Sequence, residues 1–133
     1  MIVGVGTDLC DTTRLARALA RHGDGFARKI LGPNEYSEFQ SRQSRTPERA
    51  LRYLGTRFAA KEAFSKAIGL GMTAPMSWKS CEVLNDAQGR PYVSLNGELA
   101  DWFRGQGWRV YVSVSDEGQH ALAFVVVESI QTS

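Results

Sequence analysis

The stretch running from Pro47 through Gly71 constrains this fold more than any other part of the chain. It reads as one helix starting at Pro47 or Glu48 and ending at Ile68, with Gly69 and Gly71 as its stop. Leu51, Leu54, Phe58, Ala60, Phe64, Ala67 and Ile68 occupy much of its circumference, leaving little purely polar surface. Such a helix needs cover on most sides, so it must be largely buried, packed across a sheet.

The strands for that sheet are legible. Residues 2–6 form a short apolar run ending in Gly4-x-Gly6, read as a tight turn before Thr7 and Asp8. Residues 81–84 and 92–95 flank turn residues Asn85-Asp86 and Gly89-Arg90-Pro91. Residues 110–115 alternate, with Val110, Val112 and Val114 on one face and Tyr111, Ser113 and Ser115 on the other. Residues 121–127 are apolar on both faces, and a hairpin near Glu117-Gly118-Gln119 joins the two runs. Three shorter helices are expected. One is capped by Thr12 or Thr13 and ends at His22, one begins at Pro33, and one covers 96–105. The sequence contains no repeat, low-complexity tract or long linker. The expected class is α+β: a mostly antiparallel sheet packed against one long helix, in a single domain spanning 1–133.

A chain of 133 residues can bury a core without disulfides or metals. Net charge is only +2, so the molecule is no polyanion coat, and no nucleic-acid partner is expected. Cys10 and Cys81 stand far apart and fit two free thiols in a reducing cytosol. The N-terminus meets Asp8 without a basic region before it, and no run reaches the ~20 apolar residues of a membrane span. A cytoplasmic location is expected.

Three constellations can carry chemistry. Asp8 follows a strand and a Gly-x-Gly bend, a position that suits a metal ligand, a turn residue or a helix cap. Glu62 and Lys66 stand at i and i+4 on the long helix, so they share a face. Usually that spacing is a solvated pair. On a helix apolar nearly all round, both charges need partners. Glu62 suits a hard cation or a proton, and Lys66 suits a phosphate. Gly69 and Gly71 allow close backbone approach to a phosphate, or simply end the helix. Arg14, Arg17 and Arg21 fall within about 60° of helix arc, with Arg28 and Lys29 beyond. They form either a solvated face or a dock for an acidic partner.

In order, these segments resemble one family, the short-chain phosphopantetheinyl transferases known as holo-(acyl carrier protein) synthases. Gly4-Val5-Gly6-Thr7-Asp8-Leu9, followed by Arg14, is similar to its first motif. Arg57-Phe58-Ala59-Ala60-Lys61-Glu62-Ala63 with Lys66-Ala67 and Gly69-x-Gly71 resembles its second. Ser77-Trp78, Glu82-Val83, Asn85, Gly89-x-Pro91 and Val112-Ser113-Val114-Ser115 resemble the rest, so the likeness runs from Ile2 to Glu128. It implies transfer of 4'-phosphopantetheine from coenzyme A to a serine of acyl carrier protein, in support of fatty acid biosynthesis. It also implies a homotrimer with active sites between subunits and magnesium held by Asp8 and Glu62, with Lys66 near the pyrophosphate. Arg57, Gly69, Gly71, Asn85, Arg90 and Pro91 are implied around coenzyme A, and Arg14, Arg17, Arg21 and Arg28 against the carrier protein. One departure stands out. Many members carry a histidine near the 3'-phosphate where this chain has Asp116, which would repel that phosphate. Ser113 and Ser115, or a basic residue elsewhere, are the expected substitutes. Two rival readings follow from the residues: a non-catalytic module docking acidic partners through its arginines, and another magnesium-dependent phosphotransferase.

Overall fold

A computed structural model of the chain describes residues 1–130. The elements run β1 (Ile2–Asp11), α1 (Thr12–His22), α2 (Asp24–Ile30), α3 (Pro33–Gln43), α4 (Pro47–Ala67), β2 (Cys81–Asn85), β3 (Pro91–Leu95), α5 (Gly97–Gln106), β4 (Trp108–Glu117) and β5 (His120–Ser129). The result is a single-domain α+β fold with five helices and antiparallel pairing throughout. The strands form two sheets rather than one. A three-stranded sheet has the order β1-β5-β4, and β2-β3 form a separate hairpin.

The 21-residue α4 lies under the three-stranded sheet. Between Tyr53 and Ser65, every residue except Phe58 and Glu62 is buried. The sheet presents Gly6, Cys10, Ala121, Ala123, Val125 and Val127 to the core, small and branched side chains that let a helix sit close. Gly4 and Gly6 are essential to that approach. A Cβ on Gly4 would stand 1.9 Å from the Ala67 carbonyl oxygen, and one on Gly6 would stand 1.9 Å from that of Ala63. The expected turn is therefore a seat. β1 runs unbroken through both glycines to Asp11, and Asp8 lies within the strand rather than after it.

The alternation of β4 holds, and its valine face turns inward rather than standing exposed. Val110, Val112 and Val114 pack against the core, and Tyr111, Ser113 and Ser115 are exposed on the outer face. There they join Val5 and Leu9 of β1 and Leu122 and Phe124 of β5, all exposed. Asp11, not Thr12 or Thr13, caps α1, accepting from the Thr13 amide at 2.9 Å. Helix α2 was not expected, because its seven residues carry too short a pattern to read.

A buried polar hub ties α3, α4 and β2 together. Lys61, fully buried, donates to the Glu35 carboxylate at 2.6 Å and to the carbonyls of Ile30 and Trp78 at 2.7 Å. Glu35 in turn accepts from the amides of Val83 and Gly32. Burial pushes the Glu35 carboxyl upward, and the Lys61 ammonium opposes that shift. Glu82 accepts from Asn34 and from the Glu35 amide at the start of α3. No helix among the described residues is long and apolar enough to cross a membrane.

Candidate active site

The seating of α4 on β1 brings three of the expected residues together. Lys66 reaches back from the last turn of α4 and donates to the Thr7 carbonyl at 3.0 Å and to Asp8 Oδ1 at 3.1 Å. Glu62, one turn earlier on the same face, is half-buried beside them. Its carboxyl is held above the ordinary glutamate range, first by desolvation and then by the nearby negative charge of Asp8, with Lys66 opposing. Two carboxylates thus lie close enough to influence each other, and the Lys66 ammonium pairs with one of them, Asp8.

Asp8 and Glu62 line a cleft of about 440 Å³ together with Arg14, Leu15, Ala18, Phe26 and Phe58. Phe58 stacks on Trp78 with ring centroids 5.0 Å apart. Of the exposed α1 arginines Arg14, Arg17 and Arg21, Arg14 lines this cleft, and none of the three forms an ion pair among the described residues. Arg28 stands apart on α2, where it pairs with Asp24 at 3.0 Å and lies over the Tyr36 ring.

Arg57 and Asn85 meet elsewhere. The Arg57 guanidinium, only 4% exposed, donates to the Val83 carbonyl at 3.0 Å, to Thr56 Oγ1 at 3.1 Å and to Asn85 Oδ1. No carboxylate pairs with it among the described residues. It lines a pocket of about 620 Å³ with Arg42, Arg45, Arg49, Arg52 and Asp116. Sequence reading passed over this arginine concentration. Its signal was there, five arginines between positions 42 and 57, and three of them, Arg45, Arg49 and Arg52, recur at helical spacing. Five guanidiniums, one of them buried without a counter-ion, outnumber the carboxylates of Glu38 and Asp116 around this hollow, a charge balance that suits an anion.

Other expected residues lie apart from both clusters. Ser113 and Ser115 are on the outer sheet face. Arg90 is largely exposed, pairs with its own turn's Asp86 at 3.4 Å, and borders a groove with Pro91, Tyr92 and Tyr111. Gly69 and Gly71 take the left-handed conformation, and their amides donate to the Lys66 and Ser65 carbonyls. They close α4, leaving neither amide free for a phosphate.

Residues 4–125 match the 4'-phosphopantetheinyl transferase superfamily. The chain belongs to that family. A holo-[acyl-carrier-protein] synthase of Methylibium petroleiphilum is 54% identical over 132 residues, 99% of this chain and all of the relative. One from Bordetella pertussis is 56% identical over 127 residues, 96% of this chain and 83% of the relative. Among solved structures, the holo-[acyl-carrier-protein] synthase of Neisseria meningitidis superposes with a TM-score of 0.89 at 40% identity, covering 97% of this chain and 100% of that one. The Bacillus anthracis synthase, solved in complex with coenzyme A (3',5'-ADP), gives 0.79 at 32% identity, over 97% and 98% of the two chains.

Proposed function

We propose that the chain transfers the 4'-phosphopantetheine arm of coenzyme A to a serine hydroxyl of apo acyl carrier protein, releasing 3',5'-adenosine bisphosphate, in the service of cytoplasmic fatty acid synthesis. The observation that carries this reading is that Asp8 and Glu62 line one cleft while Lys66 is held on Asp8 by a 3.1 Å ion pair.

The carboxylate pair fits a magnesium ion. Magnesium is commonly held by one or two carboxylates, with substrate phosphate oxygens and water completing an octahedral shell. Asp8 and Glu62 would hold the ion; burial first and the Asp8 charge second raise the Glu62 carboxyl, and a cation would offset both. When bound, the ion supplies charge withdrawal from the phosphate oxygens.

The chain's own residues do the remaining work. The serine oxygen attacks the phosphorus that carries pantetheine, and the bond from that phosphorus to the bridging oxygen of the pyrophosphate breaks. Glu62, or a water that it orients, takes the serine proton. Lys66, half exposed and anchored on Asp8, stabilises the negative charge that grows on the departing bisphosphate. The arginine stripe of α1 steers the acidic carrier protein to the cleft.

Coenzyme A has a second anionic group, its 3'-phosphate, and the arginine pocket is the natural place for it. Arg57 and Lys66 are nine positions apart on α4, about 180° around its axis, so they face opposite flanks. Arg57 looks toward β2 and β4, Lys66 toward β1. One chain therefore holds the two halves apart. A cyclic trimer brings the β1 side of one subunit to the β4 side of the next and covers Val5, Leu9, Leu122 and Phe124.

Incubation with coenzyme A, magnesium and apo acyl carrier protein, followed by weighing the carrier, tests the reading. Gain of one phosphopantetheine supports it; an unchanged carrier mass overturns it.

A further inference from the structure

Tyr53 is 2% exposed and sits at the floor of the arginine pocket. Two guanidiniums lie against its ring: the Arg57 carbon is 4.3 Å from the ring centroid and the Arg42 carbon 4.7 Å. They arrive from different elements. Arg57 is one turn beyond Tyr53 on α4, and Arg42 comes from the last turn of α3. Like charges this close repel, and the Tyr53 ring is the group that touches both. Arg42 has one surface ion pair, with Glu38 at 2.8 Å, and Arg57 has only neutral acceptors. An aromatic face attracts cations most strongly where water is excluded, and a planar guanidinium stacks on it while its edges remain free to donate.

We propose that Tyr53 is a positioning residue. Its ring holds Arg42 and Arg57 as a pair whose free N–H edges grip a terminal phosphate, and it thereby sets the preference for coenzyme A over 3'-dephospho-coenzyme A. This rests on the reading that the arginine pocket takes the 3'-phosphate. The ring face meets both guanidiniums, so the ring carries the effect.

The test uses calorimetry with adenosine 3',5'-bisphosphate and adenosine 5'-monophosphate on the intact protein, with thermal melting of each variant alongside. Wild type should bind the bisphosphate more tightly. Tyr53→Leu should cut that preference about tenfold, the effect of misaligning one charge-assisted contact, and leave monophosphate binding close to wild type. Tyr53→Phe, which keeps the ring, should restore the preference to within about threefold. Should Tyr53→Leu fail to fold, Arg42→Lys serves instead, because it keeps the charge and loses the flat stack; the same fall is expected. A wild-type preference that survives in Tyr53→Leu or, in its place, Arg42→Lys overturns the inference alone. A wild type with no preference overturns the pocket assignment and the inference together.

Discussion

Lys66 and Asp8 join α4 to β1 through a 3.1 Å ion pair, and the same ammonium also donates to the Thr7 carbonyl beside it. That contact fixes the spacing on which the proposed chemistry depends. It leaves Glu62 as the least compensated charge of the cluster, with its proton affinity raised by burial and by Asp8.

Glu62→Gln should abolish magnesium-dependent transfer without lowering stability. The folded protein binds the Glu62 proton more tightly than the unfolded chain does. Its favourable contribution is therefore complete below the ordinary glutamate pKa and is lost as pH rises through the raised value. At neutral pH the charged form costs stability, and a neutral glutamine removes that cost. Thermal melts at pH 7 should place the variant at or above wild type; a clearly lower melting temperature contradicts this. In wild type, kcat/KM should fall on acidification with a midpoint above about 4.3, the ordinary glutamate value.

Gly6→Ala should damage the site through the backbone. The added methyl would overlap the Ala63 carbonyl next to Glu62, so α4 must shift away from β1. A loss of about 1–3 kcal/mol is expected from overpacking, with weaker Mn²⁺ binding measured by electron paramagnetic resonance. Gly25→Ala, where the methyl meets open space, should stay within about 0.5 kcal/mol of wild type. Equal denaturation midpoints for Gly6→Ala and Gly25→Ala would remove the seating argument.

Asp116→Asn should improve coenzyme A binding. Asp116 is an exposed carboxylate lining the arginine pocket; unlike Glu38, which pairs with Arg42, it forms no ion pair among the described residues, and it opposes any phosphate placed there. Neutralising it should lower the KM for coenzyme A about three- to tenfold with kcat unchanged, and should leave 3'-dephospho-coenzyme A unaffected. A raised KM would mean that Asp116 orders the arginines instead.

Much of this arrangement was legible in the residues. The near-complete apolar wrap of 51–68 predicted a buried helix, and turn residues with two-residue alternation located β2 to β5 closely, whereas β1 runs on to Asp11 past the expected turn. Glu62 and Lys66 stood out because charges on such a helix need a purpose. What the sequence concealed depends on contact between distant segments. Gly4 and Gly6 read as a bend because sequence cannot show the α4 carbonyls that exclude a Cβ. The alternation of β4 is symmetric until β5 and α4 decide which face is covered, so the inward turn of Val110, Val112 and Val114 was unreadable. The Lys61–Glu35 pair spans 26 positions, and nothing local marks Lys61 as buried rather than as another surface lysine. The arginine pocket draws on α3, α4, β2 and β4, and only the folded chain gathers them.

In the proposed enzyme, catalysis combines the Asp8–Glu62–Lys66 cluster of one subunit with the Arg57 pocket of its neighbour. Co-expression of Asp8→Ala chains with Arg57→Ala chains tests it most directly. Each variant alone should be nearly inactive in the carrier-mass assay. Random mixing in a cyclic assembly pairs an intact cluster with an intact pocket at about a quarter of the sites, so the mixed protein should regain about a quarter of wild-type turnover. Mixed protein that stays as inactive as its parents would contradict the account and confine both halves of the site to one chain.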